Sequence, residues 1–285
     1  KNMSVRTKLV IILAWVALIP SAIVFATFLS EEEVFKVDYS QEYGVAASGI
    51  LDIIDRNLYE RYGDVQAFTF NSAAHDPQNW KRPSEENPLV VAMNNYAKAY
   101  GFYPLMMMVS PEGHLLASNT RDGAGKPINT TALYGMNFSD LPWFKDALAG
   151  KFLNGKNGLT GTVMGAPERN DLVGKIYKDD GFVIPFSAQV KDMKGNLLGI
   201  WVNFADFGLI EHIIGQRREE MLKAGMDDPD LMIFDSKGVQ LVDYDPQNLD
   251  AEGKLKHDFD TIILKKNFID LGVEAAKLAA EGKEG

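Results

Sequence analysis

From Val183 to Phe204 the chain reads VIPFSAQVKDMKGNLLGIWVNF, two apolar arms around the polar turn Lys191-Asp192-Met193-Lys194-Gly195-Asn196. Arms rich in β-branched and aromatic residues, joined by a Gly-containing turn, predict an antiparallel hairpin. Successive strand side chains point to opposite faces. Ile184, Phe186, Ala188 and Val190 therefore share one face of the first arm, and Ser187 and Gln189 the other. On the second arm Ile200 and Val202 oppose Trp201 and Asn203.

Upstream, Leu105–Val109 and His114–Ser118 are apolar strands around the turn Ser110-Pro111-Glu112-Gly113. A short helix is expected at Leu89–Tyr100, and a second at Trp143–Leu148, opened by Ser139-Asp140-Leu141-Pro142 and ended by Gly150. The polar, proline-bearing stretch His75–Pro88 reads as a loop. Strands, a short helix and a returning hairpin make an antiparallel sheet with helices on its faces, an α+β architecture. Downstream, a linker helix over Phe207–Ala224 leads to Leu231–Asp235, Ser236-Lys237-Gly238 and Val239–Tyr244, which repeat the earlier strand–turn–strand unit. Two tandem, related modules are the expected result. A helix over Phe259–Ala280 is expected next, with no second returning hairpin, so the second module reads as truncated.

The amino-terminal part carries a different signal. Leu9–Leu29 is twenty-one residues without a charge, and a bilayer core ~30 Å thick needs about 20 apolar residues in a helix. Lys1, Arg6 and Lys8 precede the run and Glu31, Glu32 and Glu33 follow it, which directs everything after Ser30 outward. The run exceeds the ~7–15 apolar residues of a cleaved signal peptide, so an uncleaved anchor is expected. Val45, Ile50, Leu51, Ile54, Leu58, Val65 and Phe68 then recur mostly at helical spacing, predicting a long stalk helix continuous with the anchor. The expected organisation is residues 1–8 cytoplasmic, 9–29 transmembrane, 30–74 stalk helix, 75–207 first module, and 208–285 linker helix with a partial second module.

Composition narrows the chemistry. With 39 acidic against 29 basic residues, the net charge of −10 disfavours nucleic-acid binding, which needs clustered Lys and Arg. Cysteine is absent, excluding disulfides and thiolate metal sites. His75, His114, His212 and His257 are scattered, without the His-Glu-x-x-His spacing of zinc hydrolases. Met106-Met107-Met108 would alternate faces on a strand, which suits packing rather than copper. No phosphate loop, dinucleotide fingerprint or nucleophile elbow occurs. Paired acids at Asp179 and Asp180, or Glu168 and Asp171, are the remaining motif for a membrane-tethered hydrolase, and neighbouring acids in a turn are usually solvated. No enzyme activity, cofactor or metal is expected.

The anchor opening at Lys8-Leu9, the long helix, Trp143-Phe144-Lys145-Asp146-Ala147 and the hairpin ending at Phe204 together resemble the double Cache (dCache) sensory region of methyl-accepting chemotaxis proteins. That resemblance spans Lys8 to about Ala280. It implies two PAS-like Cache modules stacked on one helix, a homodimer through that helix, the bacterial inner membrane as location, and a periplasmic or extracellular sensor. It further implies small-molecule binding in the membrane-distal module, relayed across the membrane. A histidine kinase or cyclic-nucleotide enzyme as output domain would carry the same ectodomain. The ligand-binding set it points to is Trp143, Phe144, Lys145, Tyr177, Phe186, Asn203 and Asp206. Amino-acid receptors of this kind carry an arginine two places before the tryptophan, a tyrosine after it and an aspartate on the last strand. Here those positions hold Leu141, Phe144 and Asn203-Phe204. An α-carboxylate wants a guanidinium and an α-ammonium a carboxylate, so the expected ligand is an organic acid, an amine or a purine.

Overall fold

The computed structural model describes residues 41–285 apart from 156–157, 252 and 284–285. The expected anchor at 9–29 and the first part of the stalk lie outside the described residues. Among the described residues no helix is long and apolar enough to cross a membrane.

Residues 41–69 form helix α1, and two 3-10 turns (Ser72–His75 and Pro77–Asn79) lead to α2 (Pro88–Tyr100). Asn87 caps α2 by accepting from the Leu89 N–H at 3.0 Å, and Gly101 ends it at φ 79°. Strands β1 (Leu105–Val109) and β2 (Leu115–Ser118), helices α3 (Pro142–Leu148) and α4 (Asp171–Tyr177), and strands β3 (Thr162–Met164) and β4 (Glu168–Arg169) precede the long hairpin of β5 (Phe182–Lys191) and β6 (Leu197–Asp206). The larger sheet runs β2-β1-β6-β5-β3, with β4 also on β5, and all pairs are antiparallel. The hairpin expected from the sequence is therefore its centre.

Each face of this sheet is covered. One carries Met106, Met108, Phe186 and Trp201 against Phe68 of α1 and Leu89, Val90 and Met93 of α2. The other carries Met107, Ile200, Val202 and Phe204 against Trp143, Phe144 and Ala147 of α3 and Val173 of α4. That two-sided burial explains why β1 is apolar at every position rather than alternating. The three methionines split between the faces and pack.

After the larger sheet come α5 (Gly208–Lys223) and a smaller sheet of β7 (Leu231–Phe234) and β8 (Gln240–Tyr244). It repeats the β1–β2 unit in detail. The register of β1 on β2 shifts between Met108 and Val109, and that of β7 on β8 between Ile233 and Phe234. Gly113 and Gly238 both close their turns at positive φ, 88° and 80°, where a Cβ would clash with the side chain of Asn137 or Ile269. The Asn137 amide donates to the Glu112 carbonyl at 3.0 Å, and the Asn267 amide to the Lys237 carbonyl at 3.1 Å. The next aromatic, Phe138 or Phe268, donates its backbone N–H to the turn glycine at 2.8 and 2.9 Å. The sequences behind this are Asn137-Phe138-Ser139-Asp140-Leu141 and Asn267-Phe268-Ile269-Asp270-Leu271.

The helix expected over Phe259–Ala280 is corrected: only α6 (Glu274–Ala280) forms, and turns occupy most of what precedes it. Leu264 and Phe268 donate their N–H groups to Gln240 and Gly238 carbonyls, and Lys266 accepts from the Gln240 N–H. The segment thus satisfies its backbone along β8 instead of within a helix. The Asp258 and Asn267 side chains also accept from N–H groups two and three residues on, which competes with helix formation.

Candidate functional site

The α3 face of the larger sheet brings several polar groups together. Helix α3 is pinned to the sheet by two β5 side chains: Ser187 Oγ donates to the Trp143 carbonyl at 3.0 Å and Gln189 Nε2 to the Ala147 carbonyl at 2.8 Å. These are the two polar residues that strand alternation places opposite Phe186. With the helix fixed, Trp143 and Phe144 are buried, and the Trp143 ring meets Phe204 edge-on at 6.0 Å. Trp143 Nε1 is buried without a hydrogen-bond partner, and the buried Tyr134 Oη and Ser118 Oγ face each other. Ser118 stands opposite Met107, whose side chain belongs to the Trp143 cluster, and Tyr134 packs on the same cluster. Burial raises the Tyr134 phenol above its ordinary value, countered in part by Ser118. Leaving such a group unpaired costs about 1–3 kcal/mol, so the indole N–H marks a place where a polar partner is due.

An open cavity of about 300 Å³ borders this face, lined by Lys81, Pro83, His114, Leu115 and Tyr134. That is the lower end of the ~300–1,000 Å³ range of small-molecule sites. Asn119, just after β2, ties the start of β1 to the loop that follows β2. Its Oδ1 accepts from the Met106 N–H at 2.7 Å, its Nδ2 donates to the Pro104 and Arg121 carbonyls at 3.1 and 3.0 Å, and its carbonyl accepts from Thr130 Oγ1 at 3.2 Å.

The residues singled out from sequence do not converge. Trp143, Phe144 and Tyr177 lie on the α3 side, whereas Phe186 packs against the α1–α2 side. Asn203 stands opposite Phe186 in the β5–β6 register and so shares its side. There it accepts from Trp201 Nε1 at 2.8 Å, while its Nδ2 is unpaired. Of the pair Asn203-Phe204, it is Phe204 that meets Trp143. Lys145 is exposed and bridged to Asp140 at 2.9 Å. Tyr177 donates to the Pro104 carbonyl at 2.9 Å, and burial pushes its phenol far up, helped by the charges of Asp122, Asp179 and Asp206. Asp206 accepts from the Gly208 N–H at 2.9 Å at the start of α5. Ser118, Tyr134 and Asn119 were not anticipated; nothing in their local sequence separates them from ordinary strand and turn residues. Among the described residues no cluster of His, Asp and Glu could hold a metal.

No family model matches the sequence, and no curated protein matches it. Solved structures do. The sensory domain of the Campylobacter jejuni chemoreceptor Tlp3 (CcmL) superimposes with a TM-score of 0.53 at 13% identity, covering 79% of this chain and 78% of that one. The ligand-binding domain of the Pseudomonas aeruginosa amino-acid chemoreceptor PctC, in complex with GABA, gives 0.48 at 16% identity over 80% and 78%. The ligand-binding domain of the Pseudomonas fluorescens chemoreceptor CtaA, in complex with L-isoleucine, gives 0.46 at 12% over 83% and 75%. The structural neighbours are sensory domains of the Cache type, from chemoreceptors and from the V. cholerae histidine kinase DctB. At these identities the likeness is one of fold.

Proposed function

We propose that this chain is the extracytoplasmic sensory region of a bacterial transmembrane chemoreceptor, anchored by residues 9–29 and dimeric through its long helix. Residues 75–207 form the module that binds a small molecule, and residues 208–285 relay its effect toward the membrane. The observation that carries the ligand site is the buried, unpartnered Trp143 Nε1 on the same face that Tyr134 and Lys81 border from the open cavity. Indole N–H is a donor only, hydroxyls can donate, and Lys81 adds a positive charge. Of an organic acid, an amine and a purine, this set best fits the acid.

The test is a thermal-shift screen of organic acids, amines and purines against the chain, followed by calorimetric titration of hits. Ligand at about 100 times its Kd stabilises by ~2.7 kcal/mol. Trp143→Phe keeps most of the buried ring and removes the donor, so it is expected to weaken an acid hit about tenfold or more while the fold survives. Full affinity in Trp143→Phe and Tyr134→Phe would place the ligand elsewhere, and a library without hits would remove the small-molecule reading.

A further inference from the structure

A second polar centre lies away from the α3 face, where the larger sheet meets the chain that follows β8. His257 sits there between two carboxylates. Its Nδ1 is 2.9 Å from Asp180 Oδ2, in the turn between α4 and β5, and its Nε2 is 2.6 Å from Glu211 Oε1, in the first turn of α5. The imidazole side chain is 11% exposed and Glu211 7%, against 42% for Asp180. Phe182 and Phe259 close over the ring at 5.2 and 5.3 Å, and Phe207 stacks on Phe182 at 4.1 Å. Three separated stretches of chain therefore meet at one ring in an apolar collar.

Both ring nitrogens face acceptors that, ionised, have no proton to give. A neutral imidazole has one N–H and cannot donate to both; the imidazolium can. We propose that His257 is a proton-binding site whose occupancy sets how firmly the segment after β8 is held against the larger sheet and α5, so that the chain responds to pH as well as to a small molecule. Protonated, the ring bridges Asp180 and Glu211. Deprotonated, it leaves one carboxylate facing a lone pair inside the collar, and the near-buried Glu211 charge loses its compensation.

The surroundings support this direction. Asp180 faces the ring from the α4–β5 turn with Asp179 next to it in the chain, Glu211 and His212 belong to α5, and Asp206 ends β6. From the segment after β8 come Lys254, Lys256 and Asp258, and from β4 Arg169, whose guanidinium lies 5.4 Å over the Phe259 ring. Lys254 reaches Asp206 at 3.8 Å, a second polar contact across the same seam. Burial alone would lower the imidazole pKa, but the hydrogen bonds and charges of Glu211 and Asp180 outweigh it, and the net shift is upward. Asp179 is raised by its own burial. A cleft of about 330 Å³, lined by Glu211, His212, Asp206 and Lys254 among others, gives water a path to the seam.

The experiment needs no ligand, so it stands or falls separately from the small-molecule site; it rests on that reading only in taking the relevant pH to be that outside the cell. The full 285-residue chain in nanodiscs is followed by NMR of its histidine Cε1–Hε1 signals across pH 5–9, with His257→Gln assigning the resonance. Amide exchange of residues 254–259, corrected for the chemical rate, is measured in parallel. The expected result is a His257 midpoint above the ordinary 6.5, with protection of 254–259 falling as pH passes it. Asp180→Asn, at a half-exposed position, should lower that midpoint and leave circular dichroism unchanged. A midpoint at or below 6.5, protection indifferent to it, or a midpoint unmoved by Asp180→Asn would each overturn the proposal.

Discussion

Replacing Asn119 with alanine should be among the costlier single changes in this chain, and the hydrogen bonds say by how much. Asn119 is fully buried and makes three side-chain bonds, to Met106 N–H and to the Pro104 and Arg121 carbonyls. The three losses are unequal. Pro104 keeps the Tyr177 hydroxyl as a donor at 2.9 Å, so losing Asn119 there forfeits only a redundant bond. The Met106 N–H, inside the strand, loses its side-chain acceptor, a loss of about 1–3 kcal/mol, and the other two bonds add roughly 0.5–1.5 kcal/mol together. The sum is about 1.5–4.5 kcal/mol. At roughly 2–4 °C per kcal/mol for a domain of this size, that lowers Tm by about 3–18 °C. Urea unfolding followed by circular dichroism measures it, with the midpoint falling at an unchanged slope. Asn119→Asp should be worse, because its charged oxygens would face two carbonyls. A cost below about 1 kcal/mol for Asn119→Ala would refute the hydrogen-bond accounting.

Gly199→Ala puts a methyl group 2.6 Å from the Val109 carbonyl oxygen and 3.3 Å from Met108 Cε; strand β1 must yield, at about 1–3 kcal/mol by thermal or chemical unfolding. Trp143→Phe, by contrast, removes an unsatisfied buried N–H, and stability without ligand should stay within about 1 kcal/mol; a larger loss would mean the indole is chiefly a packing element. Arg61→Ala strips the guanidinium from Asp64 at 2.9 Å and from the Phe102 ring at 4.2 Å, leaving the partly buried Asp64 with Tyr103; a loss of roughly 2–4 kcal/mol is expected in the same assay. The pH profile of stability carries a sign. The folded His257 pKa lies above its unfolded value of 6.5. Its stabilisation is therefore complete below about 6.5 and is lost as pH rises through the folded pKa. Denaturation midpoints of the wild type should fall through that window more steeply than those of His257→Gln.

The hairpin of β5 and β6, the strands β1, β2, β7 and β8, and helices α2, α3 and α5 were legible because each carries a periodicity or turn signal of its own. Helix α4 was not: it is seven residues long and has Gly174 at its middle. Strands β3 and β4 are three and two residues long, too short for alternation to register. The helix read over 259–273 failed for the opposite reason. Its apolar spacing suits a helix, but the free edge of β8 offered its backbone partners, and tertiary pairing won over local propensity. The site was legible only by halves. Alternation sorted Phe186 from Ser187 and Trp201 from Val202, yet joining the two strands needs the register. Once Phe186 is opposite Asn203, both leave the α3 face. The meeting of the Ser118 and Tyr134 oxygens is a property of the packed whole, with no counterpart in spacing or composition.

The internal repeat shows what its two copies share. Matching β1–β2 to β7–β8 sets Ser118 against Asp243, and matching Asn137-Phe138 to Asn267-Phe268 sets Tyr134 against Leu264 and Trp143 against Val273. The turn glycine, the asparagine that clasps it and the aromatic that follows are kept in both copies, because they solve the same backbone problem twice. The three buried polar groups are not kept. Asp243 is exposed, Leu264 has no polar side-chain atom, and Val273 is 38% exposed. Among the described residues the second copy lacks a counterpart of the β5–β6 hairpin, and Trp143 packs on Phe204 of that hairpin, so what the two copies share is the turn and its clasp, which need no third strand to form.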